Sequence, residues 1–246
     1  MIGLMTGTAV ERTRRERARQ RVGRVFLAIL VGCLALVCSL PTHARAAEPA
    51  TVTFTLDFPG SDPEHYSISV QSNGKALYEC SAKISAESEE RETYRTDFYI
   101  SAATQVQIFE LTARAHYFTG KIDSGNHKIA FTGAKKLVYK DKLREITAAY
   151  NFSPQQPVQQ LTTLFESLSA TLEFGRRLAY YHRYQKLGLD DELKRMEDQA
   201  RSGNLIELQV ARPVLQEIYD DGSVMNVVRA RAQRIMAMGN GVAAPH

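Results

Sequence analysis

The chain has 246 residues and a formal net charge of +4, but the basic excess sits at its start: residues 1–46 hold eight of the 31 Lys and Arg and two of the 27 Asp and Glu. The remainder carries 23 basic and 25 acidic residues, a net charge near −2, and this argues against nucleic acid as a partner, because phosphate binding needs a basic surface that releases counterions. Of the three Cys, Cys33 and Cys38 lie in the leader and Cys80 is left alone, which excludes an intramolecular disulfide there; about 200 residues bury enough apolar surface without one.

The leader has three parts. Arg12, Arg14, Arg15, Arg17, Arg19, Arg21 and Arg24 precede an apolar run, Val25–Leu40. Pro41 ends that run and Ala44-Arg45-Ala46 follows as an A-x-A cleavage pattern. This is the layout of a secretory signal peptide, with residues 1–46 removed and the working chain placed outside the cytoplasm, periplasmic or secreted. Two other fates are weighed. Leu30-Val31-Gly32-Cys33 resembles a lipoprotein box that would lipidate Cys33, although the sequence stays apolar beyond it. The apolar run, retained as an anchor, falls short of the roughly 20 residues that span a bilayer. Thr13-Arg14-Arg15 is a weak match to a twin-arginine start, since Arg17 and Ala18 occupy the expected apolar positions.

Residues 47–152 alternate. Val52, Phe54, Leu56 and Phe58 interleave with Thr51, Thr53, Thr55 and Asp57, the period of a half-buried strand. Pro59-Gly60-Ser61-Asp62-Pro63 turns the chain, Tyr66, Ile68 and Val70 alternate again, and Ser72-Asn73-Gly74 closes a hairpin. Further strands are predicted over Lys75–Ile84, Tyr94–Ser101, Gln105–Phe118, Lys128–Thr132, Lys136–Lys140 and Arg144–Phe152. About eight short strands without room for crossovers predict an antiparallel β-sandwich, immunoglobulin-like in size but lacking the Cys…Trp…Cys hallmark.

At Ser153-Pro154-Gln155-Gln156-Pro157 the period changes to that of a helix starting near Pro157. Val158, Leu161, Leu164, Phe165, Leu168 and Leu172 form one helical face, which continues toward Leu187, with a kink expected at Gly175. Gly188 reads as a stop and Asp190 as the next N-cap. A second helix reaches about Ala200, a third spans about Leu205–Tyr219 with Pro213 kinking or breaking it, and a fourth begins near Val224. The fold class is thus α+β: a sandwich over residues 47–152, an all-α unit of about four helices over 153–238, and a disordered tail, 239–246.

Catalytic motifs are scarce. The sequence has no nucleophile elbow, phosphate-binding glycine loop or H-E-x-x-H, and its histidines are scattered, so no metal or other cofactor is assigned. The acidic run Glu87, Glu89, Glu90 and Glu92 reads as a solvated loop. Two surfaces remain as candidates. Arg176, Arg177, Tyr180, Tyr181 and Tyr184 share helical faces and have the composition of an interface, although the rings also suit intramolecular packing. Lys135, Lys136, Lys140, Lys142 and Arg144 form a basic patch for an anionic envelope component or peripheral membrane contact, or serve as edge-strand lysines that discourage aggregation. The expectation is an exported bacterial envelope protein that binds or organises another protein or a surface polymer without catalysis. The alternatives are a periplasmic hydrolase with a dispersed site around His116, His127 or His182, and a lipid-anchored accessory protein.

Overall fold

Strand β1 (Thr51–Asp57) buries Val52, Phe54 and Leu56 on one face and turns Thr51, Thr53 and Thr55 to the other, as its alternation dictates. The computed structural model describes residues 48–83, 91–126 and 128–239. The leader with Cys33, the acidic run over 84–90, His127 and the tail 240–246 lie outside the described residues. β2 (His65–Gln71) pairs antiparallel with β1, and the expected Ser72-Asn73-Gly74 hairpin carries it into β3 (Lys75–Lys83). Gly74 there has φ +82°, a value that glycine adopts without a side-chain penalty. β4 (Arg91–Tyr99) completes this meander.

The next segment departs from the expectation. Gln105–Phe118 was expected as a strand and instead falls mostly within helix α1 (Ala102–Arg114). The buried positions Ile108, Leu111, Thr112 and Ala115 recur at three and four, not at two. Ser101 caps the start, its Oγ accepting from the Thr104 amide at 3.2 Å. His116, Tyr117 and Phe118 then take φ values of 50°, 55° and 66°, a left-handed turn that delivers Phe118 to the core.

Lys128–Thr132, also expected as a strand, contains none among its described residues. Its backbone is held by one side chain: Asn151 Oδ1 accepts from the Thr132 amide at 2.9 Å, and Asn151 Nδ2 donates to the Ala130 carbonyl at 3.1 Å. Strands β5 (Ala134–Lys140) and β6 (Glu145–Tyr150) follow. β5 pairs with β1, so the described strands make one open antiparallel sheet in the order β4-β3-β2-β1-β5-β6. The sandwich is therefore corrected: helices, not a second sheet, cover the apolar face. The opposite face carries hydroxyls and charges, and among the described residues no second layer covers it.

Helix α2 (Gln156–Tyr184) runs unbroken through Gly175, with Pro157 in its first turn. Its N-terminal half packs with α1 on the sheet through Val158, Leu161, Phe165, Leu168 and Leu172. From Phe174 onward it belongs to a second apolar cluster with α3 (Leu189–Arg201), α4 (Arg212–Asp220) and α5 (Asn226–Gly239). Two local expectations shift. Asp190 lies within the first turn of α3, which begins after Gly188. Pro213 occupies the first turn of α4, where its missing N–H costs nothing, so the expected third helix becomes a 3-10 turn (Leu208–Ala211) followed by α4. Gly188 is required by close approach, since a Cβ there would meet the Tyr181 ring at 2.9 Å.

Buried polar groups tie these layers together. Glu173 on α2 accepts from Tyr78 Oη at 2.8 Å and from Arg176 Nε at 3.0 Å, with Cys80 Sγ at 3.3 Å. Glu197 on α3 meets Arg201 on its own helix, and Arg231 and Arg234 on α5. Glu207, at φ +55°, accepts from the Ser101 amide at 2.8 Å and from the Ser101 and Thr104 hydroxyls, anchoring the start of α1 to the later helices. No described helix is long and apolar enough to cross a membrane.

Candidate functional site

In β5, alternation carries Lys135, Leu137 and Tyr139 to the helix-covered face and Lys136 and Lys140 to the open one. Lys135 lies directly opposite Tyr150 of β6, and both are buried, Lys135 at 5% exposure. Above them passes a polar stripe of α2, Gln159, Thr162, Thr163 and Glu166, spaced by three and four beside the apolar face. Strand pair and helix border an open cavity of about 360 Å³, which Thr132, Asn151, Phe152 and Ser153 complete; Thr132, Phe152, Gln159, Thr163 and Glu166 are exposed at its mouth.

The wall is set from outside the helix. Asp123 accepts from the Gly125 amide at 2.6 Å and from the Asn151 amide at 2.8 Å. These backbone donors, Gly125 first, hold its carboxyl below the usual carboxylate range. Asp123, Ala130 and Thr132 are thereby fastened to Asn151, and the neighbouring Phe152 ring stays 40% exposed at the cavity wall.

Lys135 Nζ donates to Thr132 O at 2.8 Å, Thr132 Oγ1 at 2.9 Å and Asn151 O at 3.4 Å, which engages all three ammonium hydrogens. Thr162 donates to the Val158 carbonyl at 2.8 Å, so in the 2.6 Å contact with Tyr150 it is the phenol that donates. Gln159 uses one amide hydrogen on the Ser153 carbonyl at 2.8 Å. Glu166 has no hydrogen bond or ion pair within 4 Å among the described residues. Glu166 is exposed at the cavity mouth, where partial desolvation by the surrounding groups pushes its carboxyl up and the Lys135 charge partly offsets this. Burial likewise lowers the Lys135 ammonium, offset by Glu166. The open groups are the Glu166 oxygens, Gln159 Oε1, the Tyr150 lone pair and the Thr163 hydroxyl.

The basic patch expected at Lys135, Lys136, Lys140, Lys142 and Arg144 is distributed over three places. Lys135 lines the cavity. Lys136 and Lys140 border a shallow trough of about 470 Å³ on the open sheet face, floored by Thr51, Thr53, Thr55, Ser67 and Ser69. Charges around it pair locally, Lys140 with Glu145 at 3.1 Å, Arg95 with Glu79 at 2.9 Å, and His65 with Asp57. Lys142 and Arg144 belong to the β5–β6 turn, where Arg144 pairs with Asp141 and lies 3.9 Å from the Tyr117 ring centroid.

The expected Arg/Tyr surface is also divided. Arg176 is 6% exposed and bound to Glu173 and the Lys83 carbonyl. Arg177 donates to the buried Glu192 at 2.7 Å. Tyr180 and Tyr181 are half-buried, and Tyr184 is exposed beside Arg183.

Of the histidines named for a dispersed site, His182 bonds Asp221 at 3.0 Å, and Asp221 also receives Ser223 Oγ at 2.7 Å and Lys186 Nζ at 2.6 Å. The carboxylate stands between serine and imidazole, so the imidazole does not act as base on that serine, and the order needed for nucleophilic catalysis is not made. His116 lies in the left-handed turn. Among the described residues no three His, Cys, Asp or Glu converge as metal ligands.

The fold and cavity define a class: an α+β protein with one open six-stranded antiparallel sheet, helices on one face, and a polar cavity at the seam. No protein-family model matches the chain, and no curated protein matches it.

Proposed function

We propose that this chain is an exported envelope protein that acts without catalysis, holding a small polar ligand, or one residue of a surface polymer, in the cavity between β6 and α2. The observation that carries this reading is the open pocket at the seam of β6 and α2, where the exposed Glu166 carboxylate stands without a partner among the described residues beside a fully engaged Lys135. A cavity with a few convergent polar groups is the usual form of a ligand site. The hydroxyls of Tyr150 and Thr162 are committed to internal acceptors, which leaves neither as a nucleophile facing a base. Export is supported by the leader sequence, and the experiment for it is N-terminal mass spectrometry of fractionated cells. A start near Ala47 in the envelope or medium agrees with export, whereas intact Met1 in the cytosol contradicts it.

Binding is tested by thermal denaturation of the purified chain, wild type and Thr163→Trp, against neutral sugars, amino acids, polyamines and dicarboxylic acids. Thr163 is exposed on α2, and an indole there fills the mouth of the cavity. The expected result is a higher Tm with one class for the wild type and none for the variant. No response from the wild type, or equal responses from both chains, contradicts the reading.

A further inference from the structure

We infer that the ligand of the Lys135–Glu166 cavity is an uncharged polyhydroxyl compound, the end of a saccharide, recognised by Glu166, Gln159 and Thr163 and stacked on Phe152. This rests on the cavity being a binding site at all, as proposed above. Charge argues first. An anion entering the cavity meets the Glu166 carboxylate, and the ammonium of Lys135 has no hydrogen left to turn toward it, being engaged by Thr132 and Asn151. A cation meets Lys135, whose field already reaches Glu166. A neutral ligand avoids both repulsions.

Hydrogen bonding argues second. The unengaged groups are mainly acceptors: two carboxylate oxygens of Glu166, Gln159 Oε1 and the remaining lone pair of Tyr150. Ligand hydroxyls supply donors to all of them. The second Gln159 amide hydrogen and the Thr163 hydroxyl supply donors in return, so ligand oxygens are also satisfied. Gln159 and Glu166 stand seven residues apart on α2, two turns or roughly 10 Å along its axis, so they meet well-separated hydroxyls of a saccharide rather than a vicinal pair.

Shape argues third. Phe152 presents a half-exposed ring at the wall, an apolar platform for the C–H face of a pyranose. The cavity, about 360 Å³, lies at the lower end of the range of roughly 300–1,000 Å³ that small-molecule pockets occupy. That size suits one end of a saccharide rather than an enclosed long chain.

The experiment is isothermal titration of the purified chain with cellobiose, maltose and chitobiose as neutral probes, and with glucosamine, galacturonic acid, spermidine and succinate as charged ones. Wild type, Glu166→Gln and Phe152→Ala are compared, with urea denaturation confirming that each is folded. A neutral saccharide is expected to bind the wild type, and Glu166→Gln to bind it about tenfold to a hundredfold more weakly, the loss of one charged hydrogen bond. Phe152→Ala is expected to weaken the same probe. Binding of a charged probe in preference to every neutral one overturns the ligand class while leaving the cavity as a site. Saccharide binding unchanged in both folded variants overturns the assignment of these residues. No binding by any probe overturns both this inference and the reading beneath it.

Discussion

Tyr78 of β3 donates its phenolic hydrogen to Glu173 of α2 across 2.8 Å, joining the sheet to the long helix at the border of the two apolar clusters. Burial, reinforced by the Glu173 charge, raises the phenol far above its ordinary value, so it remains a donor at any working pH. Arg176 supplies the countercharge at 2.9 Å. Removing one member leaves the others buried and unsatisfied, which costs more than the pair contributes when intact. Tyr78→Phe is expected to lose roughly 1–3 kcal/mol of stability, and Arg176→Met roughly 3–5 kcal/mol. Urea denaturation measures both, and a loss below about 0.5 kcal/mol for Arg176→Met, the range of an exposed surface pair, speaks against a buried network.

The thiol beside this network is a second probe. Burial, and then the charge of Glu173, push Cys80 up to about 12. Thiolate is the reactive form, so native Cys80 stays inert near neutral pH. Cys80 is expected to resist a disulfide reagent in buffer at pH 8 and to react in full once urea unfolds the chain. Prompt reaction in the folded state contradicts this placement.

Two glycines are expected to respond in opposite directions. At Gly175, inside α2, an added Cβ meets nothing nearer than Ala211 Cβ at 3.7 Å. Gly175→Ala is expected to stabilise the chain by roughly 0.5–1 kcal/mol through helix propensity. At Gly133, φ is +100° and a Cβ meets Leu56 Cδ1 at 2.5 Å. Gly133→Ala is expected to destabilise the chain, by strain in the backbone and by displacing Leu56 from the core. Paired thermal melts distinguish these outcomes.

Acid separates two carboxylates. The hydrogen bond from Arg234, followed by the surrounding arginine charges, holds Glu197 below its ordinary value. Its contribution is present above the unfolded carboxylate pKa and is lost as pH falls through the lower folded one. Glu166, exposed at the cavity mouth, is shifted the other way by partial desolvation. Its contribution is present below the unfolded value and is lost as pH rises through the higher folded one. Glu197→Gln is therefore expected to weaken the chain at pH 7 and flatten its acid transition, whereas Glu166→Gln is expected to be no less stable than wild type at pH 7. Stability curves from pH 3 to pH 7 test both signs.

Alternation and helical spacing made β1, β2, β3, β5, β6 and the start of α2 legible in the sequence. α1 was missed because Val106 and Ile108 mimic a strand, while the decisive positions, Leu111, Thr112 and Ala115, reveal their helical spacing only once burial is known. The loop after it was missed because its order comes from Asn151, far along the chain. The candidate surfaces mixed residues that point apart. Adjacent lysines at 135 and 136 sit on opposite faces of one strand, and Arg176 lies on the stripe that continues from Leu172 into the interior. Of the cavity, Lys135 was noted but for a different role, while Gln159, Thr162, Thr163 and Glu166 left a trace as a polar stripe at helical spacing. Tyr150 and Phe152 join them only through the pairing of β5 with β6.

Where the molecule takes its ligand is tested most directly by chemical-shift mapping of isotope-labelled protein during titration with a neutral disaccharide. Perturbations are expected to centre on Phe152, Gln159, Thr163 and Glu166, including the Gln159 side-chain amide, with the open sheet face silent. Perturbations confined to Thr53, Ser67 and Ser69 on the opposite face, or none at saturating sugar, would contradict it.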